Sequence, residues 1–330
     1  FGHLRRLVRG VARYRAAGAA VTAITADATV ASEQAGAQAA LAYVQALRAE
    51  GDFRARSEDS VLAVDLLNVA QAQLDAGTGI ALDVTRAEAQ LASTRAGLIS
   101  SRAARDRSLI ALDRALNLPA HTPLVLSDSL GRVDSTATPT DEAAATELAL
   151  RSRPDLKAAL ARIAAAKQSV SAIRAERLPT LSLIGDDGIN GLSVHHMLNT
   201  YEYGVQVSVP ILDGFRRSGR IQEQQGVVKD AQVQQHEIEQ QAAADVSTAI
   251  LDLRAAAQQV AATREQLRLS EQEVSQARER FRAGVAGNAD VITALLQLTT
   301  ARTAVIDAQT NFQTARIALA RAQGIVTTLP

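Results

Sequence analysis

A chain of 330 residues has room for two or three globular domains or for one elongated object. Its 47% hydrophobic content, with 3% aromatics and no tryptophan, is mostly Ala, Leu, Val and Ile, which suits thin helix-on-helix seams better than a thick core. The 35 basic and 35 acidic residues are interspersed, leaving no basic face for nucleic acid, and the lack of cysteine excludes a disulfide framework, a thiolate metal site and a cysteine nucleophile.

The chain opens on "FGHLRRLVRG", with neither an initiator methionine nor a basic-then-apolar leader. From Leu4 to Leu74 good helix formers dominate without a proline, which predicts one very long helix. At ~1.5 Å per residue it extends on the order of 100 Å, beyond an ordinary globular helix. Tyr14 and Tyr43 on it are expected to pack in a seam or groove. Glycine readily takes the left-handed C-terminal cap, so Ala76-Gly77 is its expected end, and a second helix follows from Leu82 to Asn117. A short connection between two long helices makes an antiparallel hairpin with its tip at Gly77.

The stretch "LPAHTPLVLSDSLGRVDSTATPTDEAA" is rich in Pro, Ser, Thr and Asp and reads as a linker with one short strand at Leu124 to Leu126. A helix is expected to restart near Thr138, with Pro139 at its first position and Asp141 and Glu142 in its first turn. Pro154 in "RSRPDLKAAL" marks a break, after which the helix runs to Arg177 and stops before Pro179.

Residues 179–211 change character. "YEYGVQVSVPI" puts Tyr203, Val205, Val207, Val209 and Ile211 on one face and Gly204, Gln206, Ser208 and Pro210 on the other. "TLSLIG" precedes it and is expected to pair with it across the loop "DDGINGLSVHHMLNT". Two readings stay open on this pattern: a strand pair of a membrane barrel, with tyrosines at the interfacial girdle, or a soluble hairpin packed on helices. No apolar run reaches the ~18 residues of a spanning helix, because Arg, Gln, Asp or Glu interrupts every candidate, so membrane insertion must use strands. His195 and His196, with Asp186 and Asp187 upstream, are the one enzyme-like constellation. Adjacent histidines on an extended chain point to opposite sides, and a solvated loop is the expected reading. No phosphate-binding loop, nucleophile elbow or HExxH motif occurs.

A second long helix is expected from Arg216 to Phe281, then Ala283-Gly284, then a helix from Ala289 to Gln323. This second hairpin repeats the first: "AQAQLDAGTGIALDV" at 70–84 aligns without a gap to "ARERFRAGVAGNADV" at 277–291, an offset of 207 (284 − 77). The same offset pairs Ala87 with Ala294, Gln90 with Gln297, Leu91 with Leu298 and Arg95 with Arg302, which identifies a tandem duplication of long period. Leu267, Val274 and Phe281 recur every seven residues, and the offset carries Val274 to Leu67 and Phe281 to Leu74, a coiled-coil seam kept in both copies and shared with small residues such as Ala70 and Ala277.

The order of these features, "RFRAG" at 280–284 with Asp290 and Val291, "RPDL" at 153–156, "PTLSL" at 179–183 and "VPILDG" at 209–214, resembles the TolC-like outer-membrane efflux protein family over essentially the whole chain. The resemblance implies a mainly α fold of two long antiparallel helical hairpins, protomer of an α-barrel, with a short membrane β-hairpin contributing to a trimeric β-barrel. It divides the chain into a first hairpin repeat at 1–118, an equatorial linker at 119–139, a helix at 140–178, a barrel hairpin at 179–211 and a second hairpin repeat at 212–330. It implies no catalysis and no cofactor. It further implies a homotrimer in outer-membrane lipid that extends into the periplasm, an exit duct of a tripartite efflux pump or type I secretion system. The partners implied are a periplasmic adaptor and, indirectly, an inner-membrane transporter. On this resemblance the adaptor-docking tips are Gly77, Thr78, Asp83, Gly284, Val285 and Asp290. Asp290 falls where the family's periplasmic aperture carries an acid, and Thr293 stands where some relatives carry a second one. Asp83 and Asp290 also suit the positive ends of their own helices, a reading that needs no aperture. The family has a helix and strand pair before each long helix, so a signal sequence, first helix and first hairpin are expected upstream of Phe1. "FGHLRRL" resembles the strand exit at 213–217, and matching Arg5 to Arg216 gives an offset of 211, a four-residue stutter. The alternatives are a periplasmic coiled-coil adaptor, which needs more strand pattern than this chain has, and a soluble helical scaffold, which leaves the alternating strand unexplained.

Overall fold

The structure, a computed structural model, describes residues 7–131, 141–190, 198–209, 211 and 213–328. In chain order the elements are α1 (Leu7–Asp75), α2 (Ala81–Ala115), α3 (Glu142–Ser152), α4 (Pro154–Ala175), β1 (Thr180–Asn190), β2 (Leu198–Ser208), α5 (Arg216–Arg282) and α6 (Asn288–Gln323), closed by a 3-10 turn at Val326–Thr328. They form two compact units, one of residues 1–32 and 153–242, the other of residues 33–152 and 243–330. The helices α1 and α5 contribute to both.

In the second unit the expected seam is present. Leu66 and Ala70 of α1, Val84 and Ala87 of α2, Val274, Ala277 and Phe281 of α5 and Val291, Ala294, Leu295 and Leu298 of α6 form one buried cluster, with Leu67, Leu74 and Leu267 packed against it. A second cluster gathers α5, α6 and α3 around Phe312, Ile250, Leu253 and Val246. Tyr43 packs, as expected, at the edge of a third cluster beside Val44, Leu47 and Leu130, its hydroxyl donating to Asp128 Oδ2 at 3.0 Å. An 18-residue window of α6 is apolar enough to cross a membrane, contrary to the expectation from its charges. Its apolar residues instead supply both large clusters, so α6 is the core helix of this unit.

Ion pairs set the register between α1 and α6. Asp59 Oδ1 accepts from Arg302 Nη1 at 2.7 Å and its Oδ2 from Thr299 Oγ1 at 2.7 Å, and Arg302 also meets Glu58 at 2.9 Å. Further along, Arg48 Nη2 lies 2.7 Å from Asp307 Oδ1.

In the first unit, α4 buries Leu156, Ala159, Ile163, Ala166 and Val170. Arg162 reaches Asp27 of α1 at 2.6 Å, and Arg220 of α5 reaches Glu176 at 2.8 Å. The strands β1 and β2 pair antiparallel over 11 residues each, with Leu181 opposite Val207, Leu183 opposite Val205 and Gly185 opposite Tyr203.

Several expectations are corrected. No strand forms at Leu124 to Leu126: Leu124 and Leu126 are half-buried with Val125 exposed between them, so the alternation is real, but no described strand lies alongside to pair with it. Asp141 is not in the first turn of α3 but caps it, its Oδ1 accepting from Ala143 N at 2.9 Å; Thr138 and Pro139 lie outside the described residues. Asp186 to Asn190 and Leu198 to Thr200, read as loop, are strand, because ladder hydrogen bonds continue through polar residues as readily as through apolar ones. Val209 and Ile211, assigned to the strand face, lie beyond the end of β2 at Ser208. Tyr14 packs in no seam, being 80% exposed. The "FGHLRR" start, Pro210 and the pair His195 and His196 lie outside the described residues.

The Asp59–Arg302 pair is deeply enclosed, with side-chain exposures of 7% and 16%. Removing Asp59 leaves the enclosed Arg302 with only the exposed Glu58 and strands the Thr299 hydroxyl, so Asp59→Ala should lower unfolding free energy by about 2 kcal/mol in chemical denaturation followed by circular dichroism. A loss below about 0.5 kcal/mol would mean that the pair is solvated.

Candidate functional site

The two hairpin turns are built by the same physics. At the first, Gly77 adopts φ 72°, Gly77 N donates to Leu74 O at 3.0 Å and Thr78 N to Gln73 O at 2.9 Å. At the second, Gly284 adopts φ 68°, Gly284 N donates to Phe281 O at 3.0 Å and Val285 N to Arg280 O at 3.0 Å. Each is a Schellman motif, in which glycine supplies the left-handed residue that lets two amides return to the last helical carbonyls. Thr78 and Val285, the residues after the glycines, are exposed. Ile80 and Leu82 beside the first turn are exposed as well.

The copies then diverge. Asp83 is buried against its own helix, 3.8 Å from Arg86, whereas Asp290 projects outward with 58% of its side chain exposed. Arg280 Nη1 lies 3.9 Å from Asp290 Oδ2, a loose pair that partly offsets its charge. The counterpart of Arg280 at the 207 offset is Gln73, whose Nε2 donates to Phe281 O at 2.8 Å and ties one turn to the other. Asn288, counterpart of Ala81, is fully buried and donates from Nδ2 to Asp83 O at 2.5 Å, while its Oδ1 has no partner among the described residues. Asp65 of α1 receives both Arg278 and Arg282 of α5. Thr293 donates its hydroxyl to Ala289 O of its own helix at 2.9 Å. None of these ties was identified in the sequence, although the positions where the copies differ, Gln73 against Arg280 and Ala81 against Asn288, carried the clue.

Directly opposed residues of an antiparallel pair share a face. One face of the ribbon therefore holds Leu181, Leu183, Tyr201, Tyr203, Val205 and Val207, giving way to Asp187 and Asn199 towards the Asn190–Leu198 end, and the other holds Ser182, Gln206, Glu202, Thr200 and Ser208 with Ile184 and Leu198 as apolar exceptions. The apolar face is exposed throughout the protomer. Tyr203 lies over Gly185, where a Cβ would stand 3.3 Å from the ring, and its centroid is 6.0 Å from that of Tyr201. Strands of 11 residues match the ~9–11 that a tilted barrel strand needs to cross a bilayer.

"RPDL" starts α4 through charge. Pro154 occupies the first turn, Asp155 accepts from Arg153 Nη2 at 2.7 Å and from Leu156 N at 2.9 Å, and Leu156 is buried. Burial of Asp155 raises its pKa, but the hydrogen bonds and charge of Arg153, with the Leu156 amide, outweigh that and hold it below the ordinary aspartate value. Among the described residues no cluster of three or more His, Asp or Glu could hold a metal ion.

The chain thus consists of a long helical hairpin in two diverged copies, with an amphipathic strand pair between α4 and α5. Residues 145–325 match the family model for outer membrane efflux protein. The chain is 26% identical over 296 residues to outer membrane efflux protein BepC of Brucella suis, covering 88% of this chain and 63% of that one. It is 31% identical over 297 residues to protein CyaE of Bordetella pertussis, covering 86% and 60%. The chain thus spans about 60% of the length of these curated relatives. Among solved structures, the outer-membrane channel OprN superposes with a TM-score of 0.80 at 22% identity, over 96% of this chain and 72% of that one. The outer membrane protein VceC of Vibrio cholerae superposes with a TM-score of 0.74 at 20% identity, over 96% and 76%. The chain belongs to the outer membrane efflux protein family, and its location is the outer membrane.

Because the folded-state pKa of Asp155 is lowered, its pairing contributes stability above the ordinary carboxylate range and loses it as pH falls through and below that range. Asp155→Asn should therefore lower the thermal midpoint at pH 7, by an amount equivalent to about 1 kcal/mol or less for a partly solvated pair, with the difference shrinking towards pH 3. A difference unchanged between the two pH values would show that the carboxylate charge is not what starts the helix.

Proposed function

We propose that the protein is a passive exit duct, the outer-membrane channel of a tripartite efflux pump or type I secretion system. A homotrimer closes the strands into a barrel, the helical hairpins wall a tunnel into the periplasm, and the hairpin turns dock a periplasmic adaptor linked to an inner-membrane transporter. The duct catalyses no reaction and uses no cofactor. The observation that carries this reading is the ribbon: 11-residue strands with an exposed apolar face from Leu181 and Val207 to Tyr201 and with open edges, in a chain of this family. Backbone groups at such edges must be paired in hydrocarbon, which favours closure by further copies. A soluble scaffold gives no reason for this face.

In this reading Asp290 lines the periplasmic mouth, and its exposed carboxylate supports that more than the enclosed Asp83 supports a similar role for the first copy. Three copies of Asp290 around an axis would favour cations, moderated by three copies of Arg280. Reconstituted in planar bilayers, the protein should conduct as a trimer. Asp290→Asn should cut the cation-over-anion permeability ratio roughly twofold or more, Arg280→Gln should raise it, and Asp83→Asn should leave it nearly unchanged. A monomer in mild detergent that gives no conductance would overturn the duct, and equal small effects of all three substitutions would reduce Asp290 to a helix-start residue.

The exposed Val285, Thr78 and Ile80 around the two turns support docking there, since apolar side chains on rigid loop ends are common contact points. Val285→Glu should weaken capture of a periplasmic adaptor that binds the native protein by about tenfold or more while shifting the unfolding free energy by less than about 0.5 kcal/mol. Unchanged capture would leave helix capping as the only role of that turn.

A further inference from the structure

The junction between ribbon and helices carries a charge pattern that neither the fold nor the duct requires. The last turn of α4 and the residues after it hold Arg174 and Arg177, and α5 opens on Arg216, Arg217 and Arg220. The two ends meet, since Arg177 Nη2 lies 3.4 Å from Ser218 Oγ and Arg220 Nη1 lies 2.8 Å from Glu176. Two carboxylates answer five guanidinium groups: Asp213 takes Arg217 at 3.1 Å and Glu176 takes Arg220. Among the described residues Arg174, Arg177 and Arg216 have no carboxylate partner. Along α5 the next acids, Glu223 and Asp230, lie about two and four turns further from Arg216. On the ribbon, Glu202 and Asp187 sit in the half remote from the junction.

Helix physics does not account for this placement. The N-terminus of a helix is its positive end and favours acids; at α5 one carboxylate, Asp213, accepts from Arg217 N and from the Arg217 side chain, each at 3.1 Å, yet the first turn itself has no acid and begins with two arginines. The chain enters α5 through Gly214 and Phe215, both left-handed at φ 61° and 64°. An aromatic residue in that conformation is uncommon, and here its ring is held 85% exposed. Ile211 and Leu178, just outside the paired ribbon end at Ser208 and Thr180, are exposed as well. An apolar face ending in an exposed ring and a cluster of unanswered guanidinium groups is the pattern of a membrane–water boundary, where arginine pairs with headgroup phosphate in two-pronged hydrogen bonds.

We propose that this junction binds the acidic headgroups of phospholipids in the leaflet that faces the periplasm, with Arg174, Arg177 and Arg216 as the phosphate contacts and Phe215 seated at the acyl boundary. The inference rests on the reading of the ribbon as membrane-spanning. The lipid phosphates answer these three guanidinium groups and fix the depth at which the ribbon stops.

The test is flotation of the protein, after detergent removal, with vesicles of phosphatidylcholine alone and with vesicles in which a third of the lipid is phosphatidylglycerol. The protein should float with both, and its apparent partitioning should be about tenfold or more stronger with the acidic vesicles at low salt, falling as salt is raised. In the combined Arg174→Gln, Arg177→Gln, Arg216→Gln variant the preference should fall to about twofold or less, with helix content by circular dichroism unchanged, and the corresponding triple Lys variant should keep most of it. Equal flotation of the native protein with both vesicles would overturn this inference alone, as would be seen if the arginines met an acidic protein surface instead. Failure to float with either would overturn the membrane placement of the ribbon and this inference with it.

Discussion

How closely two helices can approach decides most of the helical unit. Ala70, Ala87, Ala277 and Ala294 stand at matching places in the two copies, and all four are buried in the cluster where α1, α2, α5 and α6 meet near the turns. A methyl side chain lets backbones come near enough for Leu66, Val274, Phe281 and Leu298 to interlock with little apolar bulk. Large side chains at the alanine positions would push the helices apart and leave voids that dispersion forces could not fill. A chain with 3% aromatics could not build its core any other way.

Duplication supplied that packing twice, and divergence shows where the two copies face different demands. Where Val84 repeats as Val291 and Leu91 as Leu298, both members are buried, so the repeat records packing. Where it breaks, the side chains reach across between copies: Gln73 to Phe281 O, Asn288 to Asp83 O, Arg278 and Arg282 to Asp65. A symmetric pair of hairpins would have no means of choosing one mutual register. Buried polar contacts made by one copy only choose it, because any other register leaves a donor or a charge unanswered. The same logic separates Arg302, held by Asp59 and Glu58, from its exposed counterpart Arg95.

Sequence reasoning reached the helices, the turns and the seam because each is written locally, in heptads, prolines and glycines whose physical effect spans a few residues. It reached the outer part of the ribbon less well. The apolar alternation of Tyr203, Val205 and Val207 ends before Asp186 to Asn190 and Leu198 to Thr200, yet those residues continue the ladder because backbone pairing does not depend on apolar side chains. The opposite error occurred at Leu124 to Leu126, where alternation exists without a neighbouring strand to use it. Asp83 and Asp290 mark the same limit at the candidate site. Their equivalence was legible from spacing, whereas the burial of one and the exposure of the other depend on what the opposite hairpin places beside them.

The ribbon's two faces point to one further constraint. In a protomer with nothing against either face, apolar and polar sides are equally wet, and the segregation of Leu183, Val205 and Val207 from Ser182, Gln206 and Ser208 brings no stability. A two-stranded ribbon is also marginal by itself in water. The segregation therefore has meaning only in an environment that differs between the faces, as hydrocarbon on one side and water on the other would. In the proposed duct, closure with strands of other copies would supply that environment and pair the open edges in the same step, so insertion and assembly would be coupled: neither the burial of the apolar face nor the satisfaction of the edge amides would be available without the other.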